Sequence, residues 1–142
     1  MHERECLEGI AAADAHLGRA VPLPGAPLPL MRWVEVVACG PHAVQVEWNL
    51  DSTRPRSPGR LTLYVGLVPA PDRGLGCPTQ HGRYACRHAA LLEAQDDLRP
   101  VHELAWEHDG LHLRLTGQGP WPADELVALA DSVRPAGDPQ TR

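Results

Sequence analysis

Two thiols and two imidazoles lie close together in the chain: Cys77, His81, Cys86 and His88, within the segment CPTQHGRYACRH. Thiolate sulfur and imidazole nitrogen in equal number are the ligands of a tetrahedral zinc centre. The spacing, C-x3-H-x4-C-x-H, departs from that of the standard fingers and makes a weak motif. A Cys77–Cys86 disulfide is the favoured alternative in an oxidising compartment, where closing this loop would stabilise the fold by about 2–3 kcal/mol. In a reducing compartment both thiols stay free. The default is a chain without a cofactor, and zinc held by Cys77, His81, Cys86 and His88 is the alternative.

Other chemistry is thinner. A Cys86–His88 or Cys77–His81 dyad has the components of a nucleophile and its base, but no helix terminus or third orienting group accompanies it. Glu103, Glu107 and Asp109 alternate with histidines. Such an array binds a metal, senses pH, or simply keeps an edge ribbon soluble. The sequence contains no HExxH, no GxSxG and no glycine-rich phosphate loop. These features point away from an enzyme. Cys6 and Cys39 stand apart and read as small buried hydrophobes, with a Cys6–Cys39 bridge left open.

The elements that must position these residues are clearest in the last third of the chain, residues 98–133. Asp109-Gly110 suits a two-residue hairpin turn, which needs positive φ at both positions. That turn sets His108 opposite Leu111, Trp106 opposite Leu113 and Leu104 opposite Leu115. Leu104, Trp106, Leu111, Leu113 and Leu115 then share one side. Glu103, Glu107, His112 and Arg114 share the other, where opposite charges pair across strands. A helix follows, with Pro122 at its first position and Asp124 and Glu125 in its first turn. Leu126, Leu129, Ala130 and Val133 form its apolar stripe, and Arg134, Pro135 and Gly137 end it. The stripe should pack on the apolar side of the ribbon.

Upstream, residues 3–17 read as a short helix with Cys6, Ile10 and Ala13 or Leu17 on one side. VPLPGAPLPL, residues 21–30, carries prolines at 22, 24, 27 and 29 and reads as an extended connector. Residues 32–38 are the first strand, turned by Gly40-Pro41. Residues 42–50 alternate, with Val44, Val46, Trp48 and Leu50 on one face. After a loop at 51–59, residues 60–68 alternate again, with Leu61, Leu63, Val65 and Leu67 inward. Residues 69–86 form the longest irregular stretch, of a length that is usually functional or mobile. Residues 88–94 are taken as strand against a helix-like composition, and 135–142 as a loose tail. The sum is an α+β chain: a single curved antiparallel sheet of about five or six strands with an N-terminal and a C-terminal helix. One domain covers 1–142, with the helix in 1–20, the connector at 21–30, and sheet plus C-terminal helix over 31–134.

The length suits one domain with a real core. All thirteen basic residues are arginine and phenylalanine is absent. With abundant Ala, Leu, Pro and Gly, this usage points to a GC-rich genome. A net charge of −5 and a pI near 5.9 argue against nucleic acid as a partner. No apolar run reaches the roughly 18–20 residues of a membrane span. Charges of both signs interrupt the first twenty residues, so no signal peptide is read there. With Met1 as a native start the cytoplasm is the default. An extracytoplasmic domain separated from its anchor is the alternative.

The order of short helix, LGRAVPLP, VQVEWNL, GRLTLYVGLV and LAWEHDGLHLRLTG, closing in ADELVALADSV, resembles a small extracytoplasmic domain. That domain, of unassigned biochemical function, occurs in bacterial anti-sigma regulators and sporulation-associated lipoproteins. The similarity spans about residues 17–133, and the Cys/His segment at 77–88 is not part of its pattern. The resemblance implies a non-enzymatic sensing or protein-contact module. The expected function is therefore a non-catalytic binding or regulatory module. Its protein partner would meet the open sheet face or the 69–88 loop. A metal- or redox-responsive protein using Cys77, His81, Cys86 and His88 is the alternative.

Overall fold

A computed structural model describes residues 4–25, 31–50, 60–71, 76–93, 97–119 and 121–135. In chain order the elements are β1 (Arg4–Leu7), α1 (Ile10–Leu17), β2 (Pro22–Pro24), β3 (Met31–Cys39), β4 (Ala43–Leu50) and β5 (Arg60–Gly66). Then come β6 (Thr79–His81), β7 (Tyr84–Glu93), β8 (Asp97–His108), β9 (Leu111–Gln118), α2 (Ala123–Asp131) and β10 (Val133–Pro135). The expectation of five or six strands is corrected. The protein is mostly β, with an eight-stranded antiparallel sheet in the order β1-β3-β4-β5-β9-β8-β7-β6 and a second sheet of β2 and β10.

The additional strands come from segments read differently in the sequence. Residues 4–7 are strand, not helix, and pair with β3 in the register Cys6 to Val37. The helix starts only at Ile10, after Gly9, whose φ of 91° interrupts it. Cys6 continues the helical spacing of Ile10, Ala13 and Leu17, but pairing of residues 4–7 with the open edge of β3 decides their state. The supposed loop at 69–86 contains β6 and the start of β7, a small hairpin in which Thr79 faces Cys86 and His81 faces Tyr84. The proline connector is not free either. Pro22, Leu23 and Pro24 pair with Pro135, Arg134 and Val133, so Val133 and Arg134 belong to β10 instead of the last helical turn. Residues 26–30 of the connector and the loop at 51–59 lie outside the described residues.

The hairpin register is as the Asp-Gly turn requires. His108 faces Leu111, Trp106 faces Leu113 and Leu104 faces Leu115, with φ of 53° at Asp109 and 77° at Gly110. Strand alternation then sorts the sheet into two faces. On one face Val44, Val46, Trp48, Leu61, Leu63, Val65, Leu104, Trp106, Leu113 and Leu115 form a continuous core with both helices. Leu67, expected inward, is exposed because β5 ends at Gly66. Ala13 and Leu17 bury α1 against β3 and β4, and His16 donates to the Gly40 carbonyl at 2.7 Å. Pro122 precedes α2 as its cap, and Leu126, Leu129 and Ala130 are the buried stripe on β8 and β9. Tyr84 packs edge-on to Trp106, with ring centroids 5.1 Å apart.

Candidate functional site

The face opposite the helices holds the first candidate. Arg87 on β7 sits directly opposite Glu103 on β8, while Arg114 on β9 sits opposite both Ala105 of β8 and Tyr64 of β5. Glu103 lies between the two guanidiniums, with Arg87 Nη1 3.4 Å from Oε1 and Arg114 Nε 3.7 Å from Oε2. Glu103 is only 3% exposed and Arg114 only 8%. Glu103 Oε2 has no hydrogen bond among the described residues. The sequence placed Glu103, Glu107, His112 and Arg114 correctly on one face but read it as solvated, and the burial of Glu103 and Arg114 corrects that.

Two hydrogen bonds explain the cover. The Tyr64 hydroxyl donates to the Val68 carbonyl at 2.8 Å, and Arg114 Nη1 donates to the Pro71 carbonyl at 2.6 Å. They tie the segment after β5 across the polar face. The Arg114 guanidinium also lies over the Tyr64 ring, 5.7 Å from its centroid. Burial, with Arg114 opposing, raises the Tyr64 phenol above its ordinary range. Because Ala105 presents a single carbon among these long side chains, a hollow of about 380 Å³ remains, walled by Pro69, Ala70 and Pro71. At its rim Glu107 and His112, opposite each other in register, pair at 3.1 Å.

The second candidate lies on the helical face. α2 covers β8 and β9, and between it and β6–β7 runs a groove of about 520 Å³. Thr79, His81, Cys86, His88, His102 and Leu104 line its sheet side, and Ala123, Asp124, Leu126 and Val127 its helix side. Three of the four residues singled out from the sequence therefore meet there. Cys77 does not: it is exposed and outside the lining. Nor are Cys77 and Cys86 joined, since both are free thiols. The reason is register, because the residue facing Cys86 across the β6–β7 hairpin is Thr79. Cys6 and Cys39 are not bridged to each other, because Cys39 pairs with Arg4 and Cys6 with Val37, and Cys6, expected buried, is exposed.

The residue that sequence reasoning missed is His102. It faces His88 across β7 and β8, with ring centroids 4.3 Å apart. Both residues lie in segments expected as strands, but the register that sets one opposite the other follows from no local pattern. Burial, aided by the neighbouring His88, holds His102 below the ordinary histidine value, while a hydrogen bond to the Trp121 backbone opposes this. Burial also pushes the Cys86 thiol up, which disfavours a nucleophilic thiolate. Among the described residues no three His, Cys, Asp or Glu side chains already meet closely enough to hold a metal ion. No helix among them is long and apolar enough to cross a membrane. No family model, curated protein or solved structure matches the chain.

Proposed function

We propose that this protein is a non-catalytic binding module that engages a protein partner through the polar face of its sheet, with the Arg87–Glu103–Arg114 hollow receiving one acidic side chain of that partner. One observation carries the reading: two guanidiniums share a single carboxylate at the floor of an open hollow. The two arginines stand beside Glu103 at the floor and Glu107 at the rim, in a protein whose net charge is −5. Burying such a trio does little for stability, since desolvation offsets most of the attraction. Its value is as a specific receptor for a carboxylate, which guanidinium groups recognise directionally.

Among the described residues the lining contains no serine, cysteine or lysine nucleophile. The hollow also falls within the roughly 300–1,000 Å³ that recognition pockets occupy. The test uses N-acetyl-glutamate amide and N-acetyl-glutamine amide as probes, followed by NMR of the arginine Nε–H groups. The glutamate probe should shift the Arg87 and Arg114 signals in a saturable way, and the glutamine probe should not. Equal response to both probes, or no response from either arginine, refutes the assignment.

A further inference from the structure

We infer that His88, His102 and Cys86 form a binding site for zinc at the sheet side of the groove beside α2, on the face opposite the polar hollow. The imidazoles are a directly facing cross-strand pair on β7 and β8, and their rings already touch at a centroid distance of 4.3 Å. Cys86 is two residues from His88 on the same face of β7 and lines the same groove. The His102 ring is hydrogen-bonded to the Trp121 backbone. Metal-bound imidazoles use this kind of outer bond to fix tautomer and orientation.

Two nitrogens and one sulfur suit zinc, with water in the fourth position. Directly facing positions on neighbouring strands are about 5 Å apart and alternate positions on one strand about 7 Å. Metal–ligand bonds of about 2.0–2.3 Å can bridge this triangle once Cys86 and His88 rotate. Coordination exchanges the Cys86 S–H bond for an S–Zn bond and releases one proton to solvent. The ligand set keeps Cys86 and His88 of the sequence-derived four, leaves out Cys77 and His81, and adds His102. Cys77 lies exposed and off the groove.

The experiment titrates the full, reduced chain with Co²⁺ and then displaces the cobalt with Zn²⁺. One Co²⁺ per chain should bind, giving the visible bands of a tetrahedral ion and a near-ultraviolet thiolate-to-cobalt band. Cys86→Ser should abolish the thiolate band, and His102→Ala should weaken binding at least about tenfold. Cys77→Ser should change neither. His88 is exposed, so His88→Ala keeps the test readable if a variant at the more buried His102 fails to fold. Circular dichroism of each metal-free variant supplies the folding control. Absence of cobalt binding overturns the proposal. So does a thiolate band that Cys77→Ser abolishes and Cys86→Ser retains, or unchanged affinity in His88→Ala.

Discussion

Glu103 is the position at which the electrostatics of the polar face can be measured. At separations of 3.4 and 3.7 Å, each contact with Arg87 and Arg114 has a Coulomb energy of about 4–5 kcal/mol at an effective dielectric of about 20. Desolvation of the ions offsets most of this, so the net value of the trio is small. Removing one member is another matter. Glu103→Gln keeps the volume but leaves the Arg114 charge buried without its carboxylate, and should cost about 3 kcal/mol. Glu103→Leu with Arg114→Leu removes both buried charges and should lose less than either single replacement. Urea unfolding reads this directly. With a slope of about 2 kcal/mol per molar, Glu103→Gln should lower the midpoint by about 1.5 M. The double variant should stay within about 0.5 M of the parent and lose the response to the acetyl-glutamate probe. A Glu103→Gln cost below about 1 kcal/mol, or a double variant that loses the sum of the singles, refutes the reasoning.

Gly117→Val should destabilise by about 1–3 kcal/mol, because a Cβ there would lie 2.8 Å from Trp121 Cδ1 and 3.2 Å from Leu126 Cδ1. Near-ultraviolet circular dichroism should change with the displaced indole, and an unchanged urea midpoint would contradict the close approach. At the hairpin turn, Gly110→Val should cost about 1–2 kcal/mol because of its φ of 77°. Asp109→Asn tolerates the left-handed position and loses only the exposed 2.7 Å pair with Arg19, so it should cost less than about 1 kcal/mol in thermal unfolding. Tyr84 is pushed up to about 12, first by burial and then by its bond to Asp131, with Arg83 opposing. Its raised value favours the folded state fully below the ordinary tyrosine value of about 10, and that contribution is lost as pH rises through about 12. Tyr84→Phe should therefore make the alkaline fall in urea midpoint shallower. A fall of equal steepness in both proteins would show that Tyr84 is not its source.

Much of the β8–β9 hairpin was legible because three local signals agree there. Asp109-Gly110 selects the turn, the turn selects the register, and the register places Leu104, Trp106, Leu111, Leu113 and Leu115 on one side. Val44, Val46, Trp48, Leu61, Leu63 and Val65 were equally readable, since alternation alone assigns them to one face. Residues 4–7 and 79–86 carry no such agreement. They are strands because an edge of β3 and an edge of β7 were open to pair with them. Of the candidate sites, the sequence delivered the ingredients Cys86, His88, Glu103 and Arg114. It could not supply their partners His102, Arg87 and Tyr64, which arrive from other strands.

The amino-acid sequence by itself determined the turn at Asp109-Gly110, the apolar faces of β4, β5, β8 and β9, and the buried stripe of α2. Each of these follows from the geometry of a few consecutive residues. Only the tertiary structure decided that Glu103 is buried between two arginines, that His88 meets His102, and that Cys77 stays apart from Cys86. Those outcomes depend on which strands pair and in what register. Pairing is settled by chain segments far apart in sequence, through backbone hydrogen bonds and shared burial that no local pattern encodes.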